Sequence, residues 1–282
     1  MLLYVLGTSQ DAGYTQVGCK GICCQTAWDR PEFKRFPSSI AIINQKEQRY
    51  WLIDITPEIK TQIRMIDSFN CSLAGIFITH AHIGHYMGLI NLGLEVMNLK
   101  EIPVYVMPKM KDFIIHNTLL NQLVKNNNIK LSLISEDEEV NINNNFIIRA
   151  FNVPHRNELS ETVGYRIIGK QKSAIYIPDI DSWSGFKENL FKLIKENDIL
   201  FLDGTFYKKS EITKRDITKI PHPEIIDTMN MLSGLSNNSK KKIHFIHLNH
   251  TNDAIREGSQ VYHTIIDSGF LVSKEHQSFN LS

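Results

Sequence analysis

Short apolar runs recur along the whole chain and predict β-strands. They are rich in β-branched residues and are bounded by turn-forming residues, as buried strands are. The predicted strands are residues 2–6, 39–43, 50–55, 75–79, 104–107, 147–153, 164–168, 174–177, 199–203 and 243–248. Apolar positions at helical spacing predict helices at residues 57–68, 84–99, 109–126, 183–197, 223–233 and 253–268. This order, strands first and then strands mixed with helices, predicts an α/β fold of sheets covered by helices.

Two polar segments interrupt the pattern, and we expect both to be mobile. Residues 135–145 are acidic and end in an asparagine run that predicts a turn between strands. Residues 207–220 are rich in lysine and lead directly to His222. This second segment is either a flap over a site or a plain solvated loop, and the sequence leaves both interpretations open.

Composition narrows the class of protein. With 282 residues and 42% hydrophobic content, the chain can bury one sizeable core, so we expect a single domain over residues 1–282. The net charge of +1 gives no global attraction to nucleic acid or to an anionic membrane. No apolar run approaches the ~20 residues of a membrane span, and the start of the chain reads as a strand rather than a signal peptide. We therefore expect a cytoplasmic protein; a homodimer is left open, and the small-molecule substrate that we expect comes from the resemblance given below.

The strongest chemical feature is a group of three histidines that directly follows an apolar run. His80, His82 and His85 lie within six positions at the predicted end of a strand. The turn after a buried strand has a rigid backbone and is still open to solvent. The ligands of a catalytic metal need both properties in the segment that carries them. A lone histidine would more often be a structural hydrogen-bonding group, whereas three together predict a metal site.

This segment, Thr79-His80-Ala81-His82-Ile83-Gly84-His85, resembles the H-x-H-x-D-H motif of the metallo-β-lactamase superfamily. Further landmarks of that family follow in the same order along the chain. They are Leu6-Gly7-Thr8-Ser9, Trp51-Leu52-Ile53-Asp54, Phe151-Asn152-Val153-Pro154-His155, Ile175-Tyr176-Ile177-Pro178-Asp179 and His244-Phe245-Ile246-His247. The resemblance implies the αββα sandwich of that family, in which two mixed β-sheets are flanked by helices.

The resemblance also implies the ligands of one or two divalent metal ions. The first ion would take His80, His82 and His155, and the second His85 and His247, with Asp179 bridging both. Asp181 competes with Asp179 for the bridging role. Gly84 replaces the aspartate of the motif, so we expect the second position to lose an anionic ligand and to bind more weakly, accept another metal or be lost. Zinc is the expected metal, with manganese or iron as alternatives.

A cysteine group suggests another metal. Cys19, Cys23 and Cys24 lie within six positions, which favours metal ligation over disulfides in a chain without an export signal. The segment resembles the cysteine-rich loop of the branch that includes the phosphodiesterase of phosphonate catabolism and pyrroloquinoline quinone biosynthesis protein B. That resemblance implies a structural zinc with His250 as fourth ligand. Reduced free thiols are the alternative, because the usual C-x-C-x-x-C spacing is not kept.

Function follows from the same resemblance. His222 falls where the phosphodiesterase branch has a proton-donating histidine, and a pKa of about 6.5 suits that role. We expect a hydrolase in which a metal-bound hydroxide attacks a phosphodiester or similar small ester, with Asp179 orienting it and His222 protonating the leaving group. The alternative is an iron-dependent oxidative enzyme of the pyrroloquinoline quinone biosynthesis type. The near-zero net charge counts against a tRNA-processing nuclease.

Overall fold

Two seven-stranded β-sheets face each other, and helices cover their outer surfaces. The computed structural model describes residues 1–143, 146–212, 216 and 220–282, and the statements on structure below concern those residues. Both sheets are mixed, since each contains parallel and antiparallel neighbours. The αββα sandwich expected from the sequence is therefore confirmed.

The first sheet is built from the N-terminal half of the chain and closed by one C-terminal strand. Its strands are β1 (Leu2–Gly7), β2 (Ser39–Asn44), β3 (Arg49–Ile53), β4 (Ser72–Phe77), β5 (Ile102–Val106), β6 (Ile129–Leu133) and β14 (Ser278–Asn280). β14, β1, β2 and β3 pair antiparallel in that order, and β3 to β6 pair parallel. As a result, the carboxyl ends of β1, β3 and β4 lie at the same edge.

The second sheet is built from the C-terminal half. Its strands are β7 (Glu139–Asn143), β8 (Phe146–Asn152), β9 (Val163–Ile168), β10 (Ser173–Ile177), β11 (Ile199–Asp203), β12 (Ile243–Ile246) and β13 (Leu271–Val272). β7 to β10 pair antiparallel, and β10 to β13 pair parallel. The carboxyl ends of β8, β10, β11 and β12 therefore share an edge as well.

Helices fill the connections between these strands. They are α1 (Ile22–Asp29), α2 (Ile59–Ile66), α3 (Ile83–Tyr86), α4 (Pro108–His116), α5 (Thr118–Lys125), α6 (Lys187–Glu196), α7 (Ile225–Met231), α8 (Asn237–Lys240) and α9 (Gln260–Asp267). Short 3-10 turns lie at Pro31–Phe33, Asp67–Phe69, Met87–Leu92, Lys209–Glu211 and Asp253–Ile255. Among the described residues, none of the helices has the length and apolar character that crossing a membrane requires.

The main core lies between the sheets and holds the strand ends in place. Phe77 of β4 stacks on Tyr105 at 4.3 Å between ring centroids and meets Tyr165 of the opposite sheet edge-to-face. The Tyr165 hydroxyl donates to the backbone oxygen of Ile78 over 2.7 Å. Each buried aromatic side chain contributes about 2–3 kcal/mol of burial energy. These contacts therefore fix the position of the backbone at the end of β4, from which the next residues continue.

The structure differs from three predicted helices and contains elements that were not predicted. The expected helix at residues 253–268 is a 3-10 turn at Asp253–Ile255 followed by α9. The expected helix at residues 84–99 is a short α3 followed by a 3-10 turn that ends at Leu92. The chain packs closely there, because a Cβ on Gly88 would lie 2.3 Å from the backbone oxygen of Thr56. The expected helix at residues 109–126 is two helices, since the Asn117 side chain caps the second one. Strands β6, β7, β13 and β14 and helices α1 and α8 were not predicted from the sequence.

The structure describes parts of both polar segments. Within residues 135–145, Glu139–Asn143 form β7, which pairs with β8, and the mobility of the segment stays a prediction. Asn144 and Asn145, where the turn was predicted, lie outside the described residues. In the lysine-rich segment the structure describes a 3-10 turn at Lys209–Glu211, and residues 213–215 and 217–219 lie outside the described part.

A partly buried glutamate gives the stability of the fold a pH dependence. The backbone N–H of Phe36 donates to Glu275 Oε1 over 2.6 Å, and burial raises the pKa of Glu275 to about 8 even though this bond opposes the shift. Between about pH 4.5 and 8 the folded chain keeps a proton that the unfolded chain has lost, so stability falls as the pH rises. We expect Glu275→Gln to remove this decline and to gain about 1–2 kcal/mol above pH 8.

Thermal unfolding measured at intervals from pH 5 to pH 9 checks this expectation. Glu47→Gln, at an exposed position, is the matched control and should follow the wild type at every pH. Parallel curves for Glu275→Gln and the wild type would contradict it.

Candidate metal centre

The imidazoles and carboxylates of the site lie at the edge of the sandwich where the carboxyl ends of the strands meet. Each residue follows a strand that is buried in the sandwich, so its backbone is rigid. The first sheet supplies Asp11 after β1, Asp54 after β3, and His80, His82 and His85 after β4; the second supplies His155 after β8, Asp179 after β10, Asp203 at the end of β11, and His247 after β12.

The first group of donors is His80, His82, His155 and Asp179, whose ligand atoms all lie within 4.8 Å of one another. His80 Nε2 is 3.3 Å from Asp179 Oδ2, and His155 Nε2 is 3.3 Å from Asp179 Oδ1. His82 Nδ1 lies 2.8 Å from His80 Nε2 and 3.3 Å from His155 Nε2. The structure thus brings together the four residues that the sequence assigned to the first ion.

The second group contains His85, His247 and a residue that the sequence analysis missed, Asp11. His85 Nε2 and His247 Nε2 lie 3.7 Å and 3.6 Å from Asp179 Oδ2, so Asp179 stands between the two groups. Asp181, its competitor, lies behind His155, with Oδ1 2.7 Å from the Nδ1 of that ring. This placement fits a bridging role for Asp179 and an orienting role for Asp181.

Asp11 places a carboxylate beside both histidines of the second group. Its Oδ1 atom lies 3.3 Å from His85 Nε2 and 4.0 Å from His247 Nε2. A carboxylate that the sequence analysis did not consider therefore lies beside His85, where Gly84 led us to expect one anionic ligand fewer. The signal in the sequence was the position of Asp11, which follows the first strand just as the predicted ligands follow theirs.

Hydrogen bonds on the outer nitrogens orient the rings of the second group. His85 Nδ1 lies 2.7 Å from Asp54 Oδ2, which also accepts the Thr79 hydroxyl, and His247 Nδ1 lies 3.0 Å from the hydroxyl oxygen of Thr205. These contacts leave both Nε2 atoms facing the centre. Asp54 and His247 have φ angles of 64° and 66°, a left-handed conformation that costs non-glycine residues about 1 kcal/mol or more.

The electrostatics of the first group suit a cation. Burial lowers the pKa of His80 well below its usual value and that of His82 to about 4, so both rings are neutral with lone pairs available. Burial alone would raise the pKa of Asp179, but His155, His247 and His222 hold it well below its usual range. Neutral imidazoles beside an ionised carboxylate are the donor set of zinc, manganese and iron sites.

Unpartnered atoms give a direct test of whether a divalent ion fits. His85 Nε2, His247 Nε2 and Asp179 Oδ1 are buried and have no hydrogen-bond partner among the described residues. Buried polar atoms are normally satisfied, and unsatisfied ones that converge on one point indicate a missing partner. The donors present therefore fit a divalent metal.

His222 adds a proton carrier beside the first group. Its Nδ1 lies 2.8 Å from Asp203 Oδ2 and 3.3 Å from Asp179 Oδ1. Burial would lower the pKa of His222, but the carboxylates of Asp203 and Asp179 outweigh it and raise the pKa to about 9. His222 also lines a cavity of about 660 Å³ together with Asp181, Trp183, Lys187, Lys209 and Met231. A charged imidazole thus faces the space next to the metal-binding groups.

The cysteine group forms separately from this centre. The ligand atoms of Cys19, Cys23, Cys24 and His250 lie within 4.8 Å of one another, and none of the cysteines is in a disulfide. His250 Nδ1 lies 3.5 Å from Cys23 Sγ and 3.4 Å from Cys24 Sγ. Helix α1, not predicted from the sequence, carries the adjacent Cys23 and Cys24 and lets both thiols reach the same ring.

Two facing mixed sheets with a histidine and aspartate centre at their common edge define the metallo-β-lactamase fold. The Beta-lactamase superfamily domain matches residues 49–247, and the chain belongs to that superfamily.

Relatives that match along the whole chain share a low sequence identity with it. The chain is 22% identical to Coenzyme PQQ synthesis protein B of Methylorubrum extorquens over 100% of both chains. The structure of Zn(2+)-bound PqqB from Methylobacterium extorquens superposes with a TM-score of 0.85 at 20% identity, covering 100% of both chains. A diphosphatase from the PhnP family superposes with a TM-score of 0.69 at 19% identity, covering 99% of this chain and 96% of the other.

Proposed function

We propose that this chain is a metal-dependent hydrolase of a phosphodiester or a similar small ester. One observation carries the proposal: Asp179 lies between two groups of candidate metal ligands, and His222 Nδ1 lies 3.3 Å from its Oδ1 at the wall of a cavity. The superfamily assignment and the likeness to a PhnP-family diphosphatase support this choice.

The donors divide between two ions. His80, His82, His155 and Asp179 would hold the first, and His85, His247 and Asp179 would contribute to the second. Zinc is the proposed metal, with manganese or iron as alternatives. Bound divalent ions supply Lewis acidity, which polarises the ester and lowers the pKa of water.

The side chains around the ions perform the remaining steps. Asp179 orients the nucleophile, because its two oxygens face both groups. His222 donates a proton to the departing alkoxide, and Asp203 holds its Nδ1 so that Nε2 carries that proton toward the cavity. Asp203 is itself fixed by the backbone N–H groups of Ile180 and Thr205.

The cavity combines cationic, acidic and apolar side chains. Lys187 and Lys209 line it beside Trp183 and Met231, and the carboxylates of Asp181, Glu224 and Asp227 line it as well, with Lys209 Nζ 3.4 Å from Glu224 Oε1. Ammonium groups attract a phosphate, and the apolar walls accept its organic substituent. We propose a small-molecule substrate rather than a nucleic acid. We also propose that the chain is one cytoplasmic domain, and a homodimer is compatible with this proposal.

The cysteine group is proposed as a structural zinc site. Three thiols and one imidazole within 4.8 Å of one another form a closed set of four donors, as in structural zinc sites. Cys24 is buried, and burial raises the pKa of its thiol to about 12, so thiolate formation there calls for a cation. A zinc ion would tie the segment after β1 to the segment after β12 that carries His247 and His250.

An iron-dependent oxidative enzyme is the second candidate. The observation that favours it is the likeness to PqqB over the whole of both chains. Two imidazoles and one carboxylate, as in the second group, also suit non-haem iron. Oxygen uptake by the anaerobically iron-loaded protein would distinguish this reaction from hydrolysis.

Metal removal and reconstitution test the proposed hydrolysis. We expect protein stripped with a chelator to be inactive on a bis(nitrophenyl) phosphate and to regain activity with zinc or manganese, because its own residues cannot polarise the phosphorus. Nitrophenolate release before and after reconstitution is the measurement, with a nitrophenyl carboxylate ester as the comparison substrate. Equal rates for stripped and reconstituted protein would end the proposal.

A further inference from the structure

Asp11 occupies the space beside Gly84, the position at which the H-x-H-x-D-H motif has an aspartate. A Cβ on Gly84 would lie 2.2 Å from Asp11 Oδ1 and 2.6 Å from Asp11 Cα. No side chain at position 84 fits while Asp11 stays there. The glycine in His80-Ala81-His82-Ile83-Gly84-His85 thus leaves room for an aspartate that comes from another part of the chain.

We propose that Asp11 is a ligand of the second metal ion and replaces in space the aspartate that H-x-H-x-D-H carries at the position of Gly84. The inference rests on the proposed function in that it requires a metal at this centre. The second position then has His85, His247, Asp11 and the shared Asp179 as donors. The second metal position thus has two anionic ligands, Asp11 and Asp179, and two imidazoles, which is enough to bind a divalent ion.

The carboxylate of Asp11 is aimed at the centre. Gln10 Nε2 donates to Asp11 Oδ2 over 3.2 Å, which turns the other oxygen toward the histidines. Oδ1 is buried, and its contact with His85 Nε2 at 3.3 Å is an ion pair without hydrogen-bond geometry; His247 Nε2 has no hydrogen-bond partner among the described residues either. These three atoms can all serve as metal ligands, they lie within 4.8 Å of one another, and a cation between them would satisfy all three.

The segment that carries Asp11 is fixed to the segment that carries His247. The backbone N–H of Gln10 donates to the oxygen of Leu248, and that of Leu248 donates to the oxygen of Thr8, both over 2.9 Å. The backbone N–H of Gly13 closes a turn on the oxygen of Gln10 over 2.8 Å. Asp11 is therefore held in position before any ion arrives, as a ligand residue should be.

Metal binding by Asp11→Asn tests the inference without relying on activity. Elemental analysis of the wild type should give about three ions per chain, two at the metal centre and one at the cysteine group. We expect Asp11→Asn to retain about two, and its affinity for the lost ion in a zinc titration to fall about 10-fold or more. Asp112→Asn, at an exposed position, is the matched control and should bind like the wild type.

A second variant keeps the test valid if Asp11→Asn is unstable. Gly84→Ala removes no donor atom but forces Asp11 away, so it should weaken the same ion by a similar factor. Gly234→Ala is its control, because a Cβ there meets nothing within 4 Å. Wild-type affinity for two ions at the metal centre in Asp11→Asn or in Gly84→Ala would overturn the role of Asp11. A wild type that binds no ion at this centre would overturn the proposed function as well.

Discussion

Replacing Asp179 with asparagine is expected to lower kcat/KM for a phosphodiester by about 10³-fold or more and to lower the metal content of the protein. The carboxylate of Asp179 faces both groups of histidines, at 3.3 Å from His80 Nε2 and 3.6 Å from His247 Nε2. Asparagine keeps the shape but removes the negative charge and one acceptor. The loss of several kcal/mol of charge stabilisation at two ions gives the expected factor.

Asp181→Asn is the matched comparison for this variant. Asp181 orients His155 from behind, at 2.7 Å from its Nδ1, and orienting carboxylates typically contribute about 10–100-fold. Rates and metal content should therefore suffer much less than in Asp179→Asn. A loss in Asp181→Asn as large as that in Asp179→Asn would contradict the assignment of the bridging role to Asp179.

Replacing His222 with asparagine is expected to lower kcat by about 10²–10⁴-fold without changing the metal content. His222 lies against Asp203 over 2.8 Å, and its raised pKa of about 9 provides the proton that a leaving alkoxide needs. Asparagine can still bond to Asp203 but cannot transfer a proton. The cost should be large for an alkyl leaving group and small for nitrophenolate, which departs without protonation.

The comparison of the two leaving groups separates catalysis from structure. A damaged site would slow both substrates equally, whereas loss of a proton donor affects the alkyl ester more. His116→Asn, at an exposed position, is the control and should leave both rates unchanged. An equal loss on both substrates would rule out proton donation by His222.

The apolar pattern predicted the central strands because they are continuous apolar runs, and the resemblance to the metallo-β-lactamase superfamily implied their arrangement as a sandwich. Strands such as β2, β10 and β11 are buried along most of their length, so they stand out from the helices around them. The outermost strands β7 and β14 are half exposed and rich in polar residues, and they form by pairing with β8 and β1. Pairing of this kind depends on the neighbouring strand, which a local pattern does not report.

The resemblance to the superfamily identified the candidate donors that lie at or near the end of an apolar run. His155, Asp179 and His247 all follow such runs directly, and the structure brings them together with His80. Asp11 follows its strand at a longer distance, in a turn whose path is set by contacts with Leu248. Its proximity to Gly84 is a tertiary relationship, so the motif alone predicted a missing carboxylate where the fold supplies one.

The most direct test of the metal centre is an anomalous difference map from crystals of the zinc-loaded protein. We expect two peaks beside Asp179, one within reach of His80, His82 and His155 and one within reach of Asp11, His85 and His247, and a third peak among the cysteines. A map with no peak within ligand distance of Asp179 would contradict the central claim that this edge of the sandwich binds divalent metal.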